Sequence, residues 1–171
     1  MLDLVIRDAE EPDAESIAAI YAHHVLNGTA SYDLEPPSVD ATRQKILRIK
    51  ERGWPFIVAE AGGEVAGYAY VTQFRDREAY RFTAEDSIYV HPQHMRRGIG
   101  RALVEALLAR AAEFGFRSVV AVIGGAEPAS VRLHQACGFE VVGRLKGAGF
   151  KFGRWLDSIY MQLEFPSTGD A

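Results

Sequence analysis

The sequence predicts a mixed α/β (α+β) domain whose strands and helices follow in the order βααβββαβαββ. Three observations predict it. FIVAEA and EVAGYAYVTQF are strand-like runs joined by the pair Gly62-Gly63, the signature of a two-residue hairpin. RALVEALLARAAEF carries an apolar stripe at helical spacing and lies close behind the strand SIYV. SVVAVIG is a continuous apolar run of the kind buried inside a sheet, and the short helical stretch ASVRLHQACG comes soon after it.

From the N-terminus, LVIRDA reads as the first strand. Pro12 and the acids around it open a helix with Ile17, Ile20, Tyr21, His24 and Val25 on the 3.6 period, and Asn27-Gly28 ends it. After the loop TASYDLEPPS, the stretch VDATRQKILRIKERG reads as a second, more polar helix stopped by Gly53. The hairpin and the strand RFTAEDSIYV follow. A helix from Arg97 to Phe114 is then expected to bury Ile99, Leu103, Ala106, Leu107, Ala111 and Phe114. SVVAVIG and the short helix closed by Gly138 lead to the strand FEVVGRL and to a last strand, LDSIYMQLEF, with Ile159, Met161, Leu163 and Phe165 on one face. Residues 1–166 are expected to form a single domain and 167–171 a polar tail.

Composition narrows the function classes. The chain has 171 residues, enough for one domain that buries about two-thirds of its unfolded surface. A net charge of -4 speaks against a protein that grips nucleic acid through its phosphates, while leaving room for a small anion in a local basic pocket. Cys137 is the single cysteine, which rules out an internal disulfide and fits a reducing compartment. The start, MLDLVIRDAEEPDA, is acidic where a signal peptide is basic, and no apolar run approaches membrane-spanning length. A cytoplasmic protein without a nucleic-acid or membrane partner is expected.

The stretch HMRRGIG, residues 94 to 100, stands between a strand and a helix. A helix start has backbone N–H groups without intrahelical acceptors and the positive end of the macrodipole, so an anion can sit there. Arg96 and Arg97 add charge, and Gly98 and Gly100 lack the Cβ that would hold a bulky ligand away. In isolation the same residues describe an ordinary loop with exposed arginines. Taken with the element order and with EDSIYVHPQHMRRGIGRALVEALL, GFRSVVAVIGG, SVRLHQACGF and GFKFGRWLDSIYMQL, the chain resembles the Gcn5-related N-acetyltransferases from about Val5 to Phe165. Within them it is most similar to the phosphinothricin and methionine sulfoximine N-acetyltransferases.

The resemblance implies a central, mostly antiparallel twisted sheet flanked by helices, acetyl-CoA as co-substrate, no metal, and a homodimer. Its diphosphate-binding signature runs here from Met95 to Gly100, with Arg97, Gly98 and Gly100 most directly involved. Met95 stands where relatives carry Gln or Arg; because that position works through its backbone N–H, binding is expected to survive the change. The implied cofactor contacts extend to Ile88, Tyr89, Val90, Arg96, Ile99, Arg101, Glu127 and Ser130, and Glu127 replaces an asparagine that in relatives contacts the pantetheine arm.

N-acetylation needs a neutral amine, a stabilised oxyanion and a proton for the departing thiolate. Strand alternation puts Glu85 on the face of Thr83, Ser87 and Tyr89, opposite Ile88 and Val90. The resemblance implies that Glu85 is the general base; read alone, it is an acid on a solvated face, and Asp86 is its competitor on the other side. His134 stands where many relatives carry a tyrosine that protonates the CoA thiolate, and a histidine suits that work near neutral pH. The same histidine can equally be a packing or capping residue. In QFRDREAYRF the resemblance makes Arg75 and Arg77 the holders of a substrate α-carboxylate, for which the guanidinium fork is suited. It implies Tyr32 and Leu34 as side-chain pocket residues, and Lys151 with Arg154 as aids to an anionic substrate tail, although a structural turn accounts for GFKFGRW as well.

Other constellations carry less. His23 and His24 point about 100° apart on a helix and cannot share a metal. Cys137 reads as a small buried hydrophobe. The expectation is acetyl transfer by direct attack to the α-amine of a small amino-acid-like substrate such as methionine sulfoximine, methionine sulfone or phosphinothricin. Its rivals are acetylation of a protein N-terminus or a polyamine, and a non-catalytic acyl-CoA-binding module.

Overall fold

The computed structural model describes residues 3–166, so the tail at 167–171 lies outside the described residues. Its elements are β1 (Leu4–Asp8), α1 (Ala14–Asn27), α2 (Val39–Glu51), β2 (Phe56–Ala61), β3 (Glu64–Gln73), β4 (Thr83–Val90), α3 (Ile99–Phe114), β5 (Ser118–Gly124), α4 (Pro128–Ala136), β6 (Glu140–Lys151) and β7 (Arg154–Glu164), with single 3-10 turns at 11–13, 78–80 and 92–94. This is the predicted order. The seven strands form one sheet, β1-β2-β3-β4-β5-β7-β6, antiparallel at every pairing except β4 with β5.

Two apolar layers hold the sheet. On one face α3 lays Ile99, Leu103, Val104, Leu107 and Ala111 over Ala69, Val71, Ala84, Val119 and Ala121. On the other, α1 and α2 cover an aromatic group of Phe56, Tyr68, Tyr70 and Tyr89 with Ile17, Ile20, Ile46 and Ile49. Burial of each fully enclosed aliphatic side chain stabilises the fold by about 1.5–3 kcal/mol. Ser38 caps α2 by accepting the Ala41 N–H at 3.1 Å, so this polar helix starts where its orphan donors find an acceptor.

The single parallel pairing matters most for function. β4 and β5 pair only at Thr83–Ser118, Ala84–Val119 and Glu85–Val120. Beyond those rungs the strands part, with β4 continuing against β3 and β5 against β7. The facing edges of Asp86–Val90 and Ala121–Gly124 are left without a ladder partner among the described residues.

The structure departs from the sequence reading in three places. Helix α3 begins at Ile99, not Arg97, because Arg96 and Gly98 hold left-handed backbone, φ 61° and 82°, and delay the first helical turn. Phe114, expected on the buried stripe, is 45% exposed: it is the last residue of α3, with its ring 5.0 Å from that of Phe116. The penultimate strand runs to Lys151 instead of stopping at Leu145, with a register shift between Leu145 and Gly149. Three glycines in its twelve residues weaken the strand signal there.

Candidate active site

The gap between β4 and β5 opens into a cavity of about 290 Å³. β4 lines it from Glu85 to Tyr89, β5 from Val122 to Gly124, α4 with Glu127, Ser130 and His134, and the loop after α1 with Ser31 and Tyr32; Tyr21 and Tyr70 close it from the aromatic layer. Edges of unpaired strand suit an extended, amide-bearing ligand that can lie along them.

Glu85 and Asp86 are neighbours in the chain, yet alternation sends them to opposite faces of β4. Glu85 lies toward the α1–α2 face. Its side chain is 31% exposed, and Arg75 Nη1 stands 3.6 Å from Oε2. Burial raises the Glu85 pKa, the Arg75 charge pulls it down and the Asp86 charge raises it again, with a net upward shift. Such a carboxylate is a better proton acceptor than a solvated one. Arg75 is held over the Phe74 ring at 4.1 Å and donates to the Phe74 carbonyl at 2.8 Å.

Asp86 lies toward α3 and α4, where water scarcely reaches. His134 Nε2 is 3.1 Å from Asp86 Oδ2, and Nδ1 is 2.8 Å from the Ser130 carbonyl one turn back along α4. Burial pushes the His134 pKa down, but the hydrogen bond and charge of Asp86 outweigh it and leave the imidazole above its ordinary value. Glu127 caps α4 by accepting the Ala129 N–H at 3.1 Å. One of its oxygens therefore serves the helix.

At the mouth of α3 the N-cap is Gly98, which has no side chain to offer the helix. The Gly98 carbonyl receives the Ala102 N–H at 3.1 Å, and among the described residues the N–H groups of Ile99, Gly100 and Arg101 have no protein acceptor. Met95, Arg96 and Arg97 are exposed beside them. A Cβ built on Gly98 would meet nothing within 4 Å, so the space is open to a ligand. Gly100 has a different reason: its Cβ would stand 3.3 Å from Leu133, where α3 packs on α4. The Arg101 guanidinium turns down the helix to Glu105 at 2.7 Å, leaving its backbone for the mouth. The Val90 carbonyl, at the end of β4, accepts from His24 Nε2 at 2.8 Å.

Tyr32 is a fixed wall of the cavity. Its hydroxyl accepts the Gly125 N–H at 3.0 Å and bonds the Asp157 carbonyl and Ser158 Oγ at 2.9 and 3.0 Å. Its ring lies so close to Gly149 that a Cβ there would come within 2.5 Å. Lys151 does not reach the cavity: its amine is buried and donates to the Ser31 carbonyl at 2.7 Å, bracing this loop against β6. Burial lowers its pKa against the opposing charge of Asp33. Leu34, 68% exposed, and Arg77, exposed in the turn before β4, also stay outside the cavity lining.

A family model described as an acetyltransferase (GNAT) domain matches residues 6–160. The chain belongs to the GNAT acetyltransferases. It is 45% identical over 158 residues to a phosphinothricin N-acetyltransferase of Alcaligenes faecalis, covering 92% of this chain and 80% of that one. It is 37% identical to an L-methionine sulfoximine/L-methionine sulfone acetyltransferase of Salmonella typhimurium, over 94% of each chain. Among solved structures, a phosphinothricin acetyltransferase from Sinorhizobium meliloti in complex with AcCoA superposes with a TM-score of 0.92 at 48% identity, over 94% of this chain and 88% of that one.

For a GNAT acetyltransferase the residues present fit acetyl-CoA. The free N–H groups of α3 and the adjacent arginines suit a diphosphate, and the unpaired edges of β4 and β5 suit an arm that carries amides. The co-substrate would supply an activated acetyl group, and the cavity offers it an enclosed space. Several cavity residues were not read from the sequence as site residues: Tyr21, Ser31, Tyr70, Ser87 and Val122–Gly124. Tyr21 read only as part of the apolar stripe of the first helix.

Proposed function

We propose that this protein transfers the acetyl group of acetyl-CoA to the α-amine of a small amino-acid-like substrate, of the methionine sulfoximine, methionine sulfone or phosphinothricin type. The observation that carries this reading is the placement of the Arg75 guanidinium 3.6 Å from the Glu85 carboxylate at the rim of the cavity. An α-amino acid carries its ammonium and carboxylate on one carbon, so a base beside a guanidinium can meet both at once. The names of the relatives favour the same chemistry. Glu85 takes the proton from the substrate ammonium, and the neutral amine attacks the thioester directly. Arg75 holds the carboxylate and Arg77 assists from the same turn; the segment from Met95 to Arg101 cradles the diphosphate.

In this reading the chain from 1 to 166 is one catalytic domain, cytoplasmic, and paired with a second copy. The exposed apolar side chains of the β6–β7 hairpin, Phe150, Phe152 and Trp155 at 55, 55 and 70%, support the pairing, which light scattering after gel filtration tests. Acetyl transfer is tested with a panel of amines, acetyl-CoA and a thiol-detecting reagent. Methionine sulfone, methionine sulfoximine and phosphinothricin are expected to release thiol far faster than their decarboxylated amines, an N-terminal peptide or a polyamine. Equal rates for amino acid and bare amine would overturn the α-amino-acid reading.

A further inference from the structure

Asp86 and His134 are 48 positions apart in the chain, and their side chains meet at the cavity with 3% and 4% exposure. Both partners of the imidazole are acceptors. A backbone carbonyl cannot donate, so the contact to Ser130 requires a hydrogen on Nδ1. The contact between Nε2 and Asp86 is then satisfied in two ways, by an imidazolium facing a carboxylate or by a neutral imidazole facing a carboxylic acid. Each holds one proton between the two side chains. Without that proton a lone pair would face a carboxylate oxygen in a site sealed from water, which is costly. The geometry therefore retains a proton on the pair. Asp86 Oδ1 has no protein hydrogen-bond partner among the described residues, and Asp86 lines the cavity, which gives that proton a route out.

Few titratable groups face the pair. Glu85 adjoins Asp86 on β4, and Cys137 lies at the end of α4, itself flanked by Arg101 and Glu105 of α3. Ahead of β6, Phe139 sets an apolar ring edge-on to the imidazole at 5.0 Å.

We propose that Asp86 is a positioning residue that keeps His134 protonated, and that the Asp86–His134 pair supplies the proton taken up by the thiolate leaving in acetyl transfer. The inference rests on the acetyltransferase reading above. The amine nitrogen forms the new N–C bond, the C–S bond breaks with both electrons going to sulfur, and the pair's proton passes to that sulfur to give the thiol. His134 is left neutral, with its hydrogen on Nδ1, beside the Asp86 carboxylate. The substrate ammonium sheds two protons in becoming an amide: one replaces the proton taken from the pair, and the other goes to water through Glu85.

The test is Asp86→Asn, followed by kinetics and by NMR. In the parent, imidazole nitrogen shifts of His134 followed from about pH 6 to 9 are expected to report the imidazolium beyond the ordinary titration range of histidine, and in the variant the neutral ring. The variant's kcat is expected to fall about 10²-fold, the lower end for general acid–base catalysis, while calorimetry shows acetyl-CoA affinity unchanged. The alkaline limb of its pH profile moves to lower pH, because the ring then loses its proton more easily. Adding Asp86→Asn to His134→Asn costs no further activity. A variant with the parent's kcat and pH profile overturns the proposal whatever its melting temperature, since a purely structural role would move only the latter. So does a neutral His134 in an active parent, a measurement that decides the matter even where the variant fails to fold. A parent that acetylates no amine in the panel sinks the acetyltransferase reading itself, and the proposal falls with it.

Discussion

The middle of β4 and the turn beyond its end solve different problems. At mid-strand, Asp86 and His134 are nearly closed to water and each has a partner. Beyond its far end, the N–H groups of Ile99, Gly100 and Arg101 have no protein acceptor among the described residues, and the arginines beside them are exposed. A diphosphate must arrive and leave, so it is met by backbone dipoles that water solvates in between. A proton must be held at a set affinity, so it is kept where burial and one fixed charge determine that affinity. The proposed reading thus places binding at the rim and proton handling inside.

The largest effect is expected where the two regions join in chemistry. Glu85→Gln keeps the shape of the side chain and removes the base, so kcat should fall by roughly 10²–10⁴-fold. Acetyl-CoA affinity, measured by calorimetry, should stay as it is, because the mouth of α3 is untouched. A variant within a few-fold of the parent across the pH range would move the base elsewhere and leave the inner end of β4 with the proton donor alone.

Arg75 comes next. Lost charged hydrogen bonds are worth about 1.5–3 kcal/mol each, so Arg75→Ala should raise KM for methionine sulfone by roughly 10- to 150-fold. Arg77→Ala should cost less, since Arg75 is the arginine placed beside Glu85. A second readout separates binding from structure. Arg75 holds the Glu85 pKa down against burial, so its removal should shift the acidic limb of the pH profile to higher pH. An unmoved limb would detach the carboxylate clamp from the base.

A smaller effect is expected at the rim. Gly98 has φ 82° and open space where a side chain would stand, so Gly98→Val clashes with nothing in the protein but strains the backbone. Left-handed strain in a β-branched residue costs about 1–3 kcal/mol, enough to rearrange the mouth and weaken acetyl-CoA by at least about fivefold. Undiminished affinity by calorimetry would show that the diphosphate lies elsewhere.

The local elements and many cavity residues were legible in the sequence, and the contact between Asp86 and His134 was not. The Gly62-Gly63 hairpin, the α3 stripe and the stretch from Met95 to Gly100 are local patterns, and the structure reproduces the elements they predict. Asp86 appeared only as a rival to Glu85, because nothing in the chain says that a histidine 48 residues later will lie against it. Alternation does place an acid on the buried face, and a buried acid demands a partner; that was the available signal. For Lys151 a ligand contact and a structural turn were both open; the extension of β6 carries it inside, where it braces Ser31. Leu34 looked like pocket lining by its place in the loop, yet the turn leaves Tyr32 in the cavity and Leu34 in solvent.

The smallest effect tests the comparison through stability. His134 has its folded pKa raised above the ordinary 6.5, so the stability it contributes is complete below that value and is lost as pH rises through the folded pKa. His24, buried with Nε2 on the Val90 carbonyl, has its folded pKa lowered by burial first, against the opposing hydrogen bond. Its contribution runs the other way, lost as pH falls below 6.5 toward the folded value. The two histidines, one against the middle of β4 and one at its end, together give a stability maximum near the ordinary imidazole pKa. One titrating proton changes unfolding free energy by at most about 1.4 kcal/mol per pH unit, and about 1 kcal/mol moves the melting temperature of a chain this size by about 2–4 °C. Asp86→Asn should flatten the alkaline side of the melting-temperature profile and leave the acidic side alone, and His24→Asn should do the reverse. If both variants flatten the same side, the middle and the end of β4 are not electrostatically separate, and the division between an inner proton site and an outer binding rim fails.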